Sequence, residues 1–198
     1  MTRMIGPWGA IGAQFLRMSK TSRMAVDMAV RGEAMLFSRY VNKAFTKGGY
    51  GRPWRRLNPI TLALRKAGFG GGKSGGSKPL VRSGTLRKSI KVERSSYASY
   101  FVGVRRGSAS GFNVAALHET GPHVIPITDK MRRFFLALYW KGILPFPWPP
   151  ASKKYIVIPR RSFLEDTFKK FAPETPKRIA KRYMSLLMGK KFVNPRPT

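Results

Sequence analysis

Residues 80–90 read Leu80, Val81, Arg82, Ser83, Gly84, Thr85, Leu86, Arg87, Lys88, Ser89 and Ile90, and they divide the chain into two kinds of sequence. A glycine-rich loop, residues 68–79, leads into them. Ser83 and Gly84 open a polar, helix-like turn, and strand periodicity continues over 89–94 and 97–104. Ile90 and Val92 alternate with Lys91 and Glu93. After a turn at Ser95 and Ser96, Ala98, Tyr100, Val102 and Val104 alternate with Ser99, Phe101 and Gly103. The pattern predicts a hairpin with one face buried. The residues before this stretch are an approach to it, and those after it make one sheet with its covering helices.

Upstream, apolar residues at Val26, Val30, Ala34, Phe37, Val41, Ala44 and Phe45 keep the three-and-four rhythm of one helix face, over residues 22–45. Gly48 and Gly49 end it. Residues 1–20 carry Gly, Pro and apolar residues without a period and predict an extended arm. Asn58 is placed to cap a short helix whose first position is Pro59.

Downstream, Asn113 caps a helix through Glu119, stopped at Gly121 and Pro122. Another starts near Thr128 and Asp129, shows Met131, Phe134, Phe135 and Leu138 on one side, and closes at Gly142. Residues 143–150 hold Pro145, Pro147, Pro149 and Pro150 and predict a stiff, exposed excursion. A strand comes next over 154–159, through Ile156 and Ile158. Ser162 and Glu165 have capping-box spacing before a helix through Leu164, Phe168 and Phe171 that runs to Pro173. Thr175 and Pro176 open a last helix with Ile179, Tyr183, Leu186 and Leu187 on a face beside basic residues.

The expected fold is α+β: a small antiparallel sheet, made of the hairpin at 89–104 and the strand at 154–159, packed on a long N-terminal helix and C-terminal helices. Residues 21–172 form its one domain, between the arm at 1–20 and a basic helix and tail at 173–198. A chain of 198 residues with 42% hydrophobic content can bury one such core.

Charge bounds the function. Lys and Arg number 39 against 8 Asp and Glu, a formal net charge of +31 spread along the whole length. Solubility needs a magnitude of only about 2–8 in a small domain. A polyanion or an acidic protein neighbour is the expected counterpart. The basic residues singled out for that contact are Arg52, Arg55, Arg56, Lys73, Lys78, Arg105, Arg106, Lys177, Arg178, Lys181 and Arg182. The absence of cysteine excludes disulfides and thiolate metal sites. No run approaches the roughly 18 apolar residues of a membrane span, and residues 8–16 read as neither signal peptide nor anchor.

Three arrangements invite a catalytic reading and fail it. Residues 67–74 match a loose phosphate-binding loop, but the helical pattern before them and Pro79 after them deny the strand–loop–helix setting it needs. His118 and Glu119 resemble the start of a zinc helix, yet His123 lies beyond Gly121 and Pro122, where one helical face cannot include it. Glu165 and Asp166 are adjacent and point to different faces. No catalytic residue, cofactor or metal is expected, and the chain does not read as an enzyme.

Five pieces in order carry a resemblance: Trp54, Leu57 and Thr61; Leu80, Val81, Ser83, Gly84, Leu86, Ser89 and Ile90; Ala115 to Gly121; Ile127 to Phe135; and Ile158 to Leu164. Together they resemble the virion morphogenesis, or tail-completion (neck), proteins of tailed phages, both Mu-like and lambda-type, over about residues 51–171. Departures are Arg82 and Ser83, where the family has an acid before a Thr-Gly pair, and Ser162, where it has Pro.

The resemblance implies a small α+β protein with no catalytic residue, assembled in the host cytoplasm into a ring at the head–tail junction of the virion. A hexamer is expected ahead of a dodecamer. Its implied partners are its own copies, the tail terminator, tube or head–tail connector proteins, and packaged double-stranded DNA. Trp8, Phe69, Phe146 and Trp148, on irregular backbone, are the expected subunit contacts. The alternative reading, from charge alone, is a free, non-sequence-specific nucleic-acid-binding protein of ribosomal or nucleoid type.

Overall fold

The computed structural model describes residues 8–50, 52–69, 76–81, 83–104 and 113–190, with side chains from Ala13 onward. One helix dominates it. α1 spans Trp8–Lys47, 40 residues, a length of about 60 Å. The residues expected to form an arm are therefore helical from Trp8 on. Residues 13–21 are all exposed, with Phe15, Leu16 and Met18 standing free. The body of the protein packs only on the part of α1 beyond them.

The buried side of α1 is Ala25, Ala29, Leu36, Val41, Ala44 and Phe45. This is rotated from the expected face, since Val26, Val30 and Ala34 are only half-buried. Small residues face the partner helix because they let its axis come close. That partner is α7, Thr175–Leu187. It runs antiparallel to α1, with Ser22 Oγ and Tyr183 Oη 2.8 Å apart at one end and Arg178 on Glu33 at the other. Gly32 allows the closest approach, because a Cβ there would sit 2.9 Å from the Arg182 guanidinium. At its C-terminus α1 ends as expected, the N–H groups of Gly48 and Gly49 donating to Ala44 O at 2.9 and 2.8 Å.

The hairpin pairs β1, Lys91–Ser96, with β2, Ser99–Gly103. Its turn falls at Tyr97 and Ala98, two residues later than expected, with Ala98 at φ 50°. Asp27 of α1 holds it there: its carboxylate accepts from Ala98 N at 2.9 Å, Tyr100 Oη at 3.1 Å and Arg94 Nη2 at 3.2 Å. Those bonds, the one from Ala98 foremost, keep the Asp27 carboxyl below its ordinary pKa. Docking on α1 fixes the turn more firmly than the serines at 95 and 96 could.

The short helices obey their caps. α2, Pro59–Lys66, is capped by Asn58; α3 is the single turn Thr85–Lys88 after Gly84; α4, Val114–Thr120, is capped by Asn113; and α5, Asp129–Trp140, by Thr128. The strand expected at 154–159 is β4, Tyr155–Ile158. It joins no sheet with the hairpin. It pairs antiparallel with β3, His123–Pro126, in the register His123 to Ile158 and Pro126 to Tyr155. The fold is α+β, with two separate two-stranded ribbons. α6, Glu165–Phe171, then passes through a 3₁₀ turn at Ala172–Glu174 into α7.

Two cores result. The first joins Val41, Ala44 and Phe45 of α1 to Trp54, Ile90, Ala115 and Phe163. The second joins Ile60, Phe135, Leu138 and Leu144, with Phe69 and Trp148 packed against it. This corrects the reading of residues 143–150 as an exposed excursion. Leu144 is 2% exposed, and Trp148 meets Phe135 edge-on at 4.5 Å. Prolines stiffen the segment, whose two ends pack into the second core through Ile143, Leu144 and Trp148 while 145–147 between them stay exposed. No helix among the described residues is long and apolar enough to cross a membrane.

Candidate functional site

Four of the five pieces that carry the resemblance are far apart in sequence and meet at one point, while Ile127 to Phe135 leads into the second core instead. Glu119, near the end of α4, aims its carboxylate at the start of α6. It accepts from Phe163 N and Leu164 N, each at 2.8 Å, from Ser162 Oγ at 2.7 Å and from Glu165 N at 3.4 Å. An acid at a helix N-terminus satisfies donors that the helix cannot satisfy itself. The capping box expected of Ser162 and Glu165 does not form: the helix is entered at Leu164 with no side-chain cap. Ser162 Oγ accepts from Asp166 N at 3.1 Å, the Glu165 carboxylate turns to Arg160 and Lys169, and Glu119 supplies the acceptors from outside.

Trp54 Nε1 donates to Ser162 O at 2.9 Å, Arg160 Nε to Glu119 O at 2.8 Å and Arg161 N to His118 O at 3.0 Å. Phe163 then drops fully buried into the first core beside Ile90 and Ala115. The motif residues make a structural joint.

Beside the joint opens a cleft of about 1090 Å³ between α2, α3, α4, β4 and the Trp148 segment. Five cations line it: Arg55, Arg56, Arg65, Lys153 and Arg161. Among the described lining residues there is no Asp or Glu. Aliphatic side chains, Leu57, Leu64, Leu86 and Ile156 among them, fill the wall between these charges. Arg65 and Arg161 are 9% and 7% exposed, so part of the charge is fixed in the wall. Arg65 Nη1 donates to Gly76 O at 3.0 Å and Lys78 O at 2.9 Å, and Arg161 reaches Arg55 O at 3.4–3.5 Å. Burial, then Arg65 and Arg55, depress the Arg161 pKa, which still leaves a cation at neutral pH.

His118 also lies in the wall, 9% exposed, and its Nδ1 has no hydrogen-bond partner among the described residues. Burial first, and Arg161 next, push its pKa down to about 4. The folded protein thus holds a neutral imidazole that the unfolded chain protonates at its ordinary value of 6.5. Stability from this residue is complete above pH 6.5, falls as pH drops toward 4, and is constant below. The whole loss is about 3 kcal/mol. His118→Gln is expected to flatten the fall in melting temperature over this window, and a slope unchanged by the substitution would refute the assignment to His118.

The basic residues expected to act together are dispersed. Arg55 and Arg56 stand exposed at the cleft, and Arg52 is exposed nearby in sequence. Lys78 is exposed and its Nζ donates to Thr46 O at 2.9 Å. Lys177 and Lys181 are exposed on α7, Lys177 lying 3.9 Å from Glu174. Lys73, Arg105 and Arg106 lie outside the described residues, as does most of the glycine-rich match to a phosphate loop.

Two assignments are corrected. Arg178 and Arg182 face inward, onto Glu33 of α1, at 2.6 and 3.4 Å, and Arg182 is 3% exposed. They hold the fold together and are not presented to a partner. Sequence reading missed Arg65, Lys153 and Arg161 as cleft residues. No spacing links them, because they sit on a helix, a loop and a strand exit that only the fold brings together.

Of the expected subunit contacts, Phe69 packs near Phe134 at 6.0 Å and Trp148 on Phe135, both within the chain. Phe146 remains exposed, and the side chain of Trp8 lies outside the described part of the chain. The free apolar surface lies elsewhere, on Phe15, Leu16 and Met18 of α1, on Leu136 and Trp140 of α5, and on Val124 and Val157 of the β3–β4 ribbon.

Among the described residues no three His, Asp or Glu side chains come together as a metal site. The arrangement can bind anions and bury apolar surface against a neighbour. No family model matches the chain, and neither do any curated proteins or solved structures.

Proposed function

We propose that the chain is a non-enzymatic structural protein of a tailed phage, a tail-completion or neck component that assembles as a ring, a hexamer, at the head–tail junction of the virion. Its ring meets its own copies and the tail terminator, tube or connector proteins, beside the path of the packaged DNA. The observation that carries the reading is the joint: four of the five separate pieces that resemble the family pack on one another, around Glu119, Ser162 and Trp54. Pieces that match by chance in composition have no reason to meet.

Two further features support assembly. The early turns of α1 project from the body with apolar side chains that no described residue covers, Leu16 being 74% exposed. The net charge of +31 repels itself until an anionic neighbour compensates it.

Deleting the chain from its phage is expected to leave filled heads and finished tails unjoined, seen by negative-stain microscopy. Restoring it with Phe15→Asp and Leu16→Asp is expected to give the same particles, with the purified variant monomeric in sedimentation. A normal yield of infectious particles without the chain ends the proposal. Tight, steeply salt-dependent binding of DNA by an isolated wild-type monomer supports the nucleoid-type alternative instead.

A further inference from the structure

We propose that the cleft beside the joint is a docking site for an acidic, aliphatic-rich peptide segment of a different protein. This deepens the assembly reading, on which it rests for the presence of a protein neighbour.

The charge is one-sided. Arg55, Arg56, Arg65, Lys153 and Arg161 line a concave space that no described acid enters. Buried cations such as Arg65 and Arg161 lose hydration, and a carboxylate seated among them recovers it as charge-assisted hydrogen bonds. Concavity excludes duplex DNA, whose phosphates lie on a stiff convex cylinder that surface cations meet better than a recess does.

Single-stranded nucleic acid fits the charge but not the lining. Such strands bind where aromatic faces lie open to stack bases. Here the two rings present, Phe135 and Trp148, already meet edge to face at 4.5 Å, and Lys153 Nζ stands 5.7 Å over the Trp148 ring. The remaining described wall offers no other open aromatic face: aliphatic side chains such as Leu57, Leu64, Leu86 and Ile156 stand among the cations and a few neutral polar residues, Ser83 and Asn113 among them. Alternate charged and apolar contacts are what a peptide with acidic and aliphatic side chains offers. His118 Nδ1 adds a buried polar atom in the wall that nothing among the described residues satisfies.

A second copy of this chain cannot supply the segment. Its acids are scattered, and the one adjacent pair, Glu165 and Asp166, is engaged at the joint: Glu165 by Arg160 and Lys169, Asp166 by Arg160. Asp27, Glu33 and Glu119 are likewise tied within the fold. The segment therefore comes from another protein.

The test is fluorescence anisotropy with the full chain and a labelled, end-capped decapeptide of alternating Glu and Leu. We expect it to bind at least tenfold more tightly than the same peptide with Ser for Leu, and than an oligothymidine of equal charge. Arg56→Glu with Lys153→Glu, both at exposed positions, is expected to weaken it at least tenfold with an unchanged melting temperature. Lys177→Glu with Lys181→Glu, on α7, is expected to leave it within twofold.

Equal binding of the Ser peptide or of oligothymidine, or indifference to the cleft reversals, overturns the proposal in favour of undirected polyanion attraction. Failure here is separable from failure of the assembly reading: a chain required for particles whose cleft ignores the peptide loses only the docking site. A chain that binds the peptide but is dispensable for particles loses only the neck.

Discussion

Glu33→Ala is expected to lower the stability of the folded chain by about 4 kcal/mol, the largest single effect in the molecule. Glu33 is 4% exposed in the middle of α1, and its carboxylate meets the guanidinium groups of Arg178 and Arg182 from α7. Arg182 also donates to Ala29 O at 2.8 Å, and Arg178 to Phe171 O at 3.0 Å. Removing the acid leaves the Arg182 guanidinium buried without its carboxylate, and the desolvation of that charge dominates the loss. A buried pair replaced as a whole behaves differently, because apolar side chains of similar size need no hydration. Glu33→Leu with Arg182→Leu is therefore expected to recover at least about 2 kcal/mol relative to Glu33→Ala. Urea melts followed by helical circular dichroism measure both. A double variant no more stable than the single one would mean that burial of charge is not what the node contributes.

Glu119→Ala is the second, expected to cost about 3 kcal/mol. The carboxylate serves Ser162 Oγ and the N–H groups of Phe163, Leu164 and Glu165, so its loss strips the first turn of α6 of acceptors. Some of those donors turn to water, which keeps the cost below the sum of the bonds. Phe163, which the turn holds in the first core, loses its anchor as well. Glu119→Gln keeps an acceptor and loses the charge, and is expected to fall between the two, at about half the cost. If the alanine and glutamine variants melt with the wild type, the joint around α6 is decorative and the main structural support for the family reading goes with it.

The features legible in the residues were local. Asn58, Asn113 and Thr128 each cap the helix immediately after them, because a cap needs only a side-chain oxygen two or three residues before the N–H that it accepts from. Gly48 and Gly142 end helices for a similarly local reason, each at positive φ.

The features that escaped reading were decided at long range. β3 is four residues, His123–Pro126, with no alternation of buried and exposed side chains, and exists because Tyr155–Ile158 pairs with it. The helical start at Trp8 was hidden by Gly9 and Gly12, which propagation from the packed turns overrides. Nothing in the sequence marks Glu33, since its partners come 145 and 149 residues later. The cleft was invisible for the same reason. Arg55 and Arg56 were singled out by their own crowding, while Arg65, Lys153 and Arg161 gain their meaning only from the walls they stand in.

The unsupported beginning of α1 carries a kinetic and entropic consequence. An isolated peptide of its length would have to nucleate before it could coil, and in water it would be mostly random. Here the turns from Ser22 onward act as the seed, so residues 8–21 grow outward in register with a helix already clamped by α7 and the hairpin. The projection is a stiff outrigger roughly 20 Å long. Whatever surface receives it captures a pre-shaped rod, and the encounter is spared the disorder-to-order penalty that a floppy tail would bring.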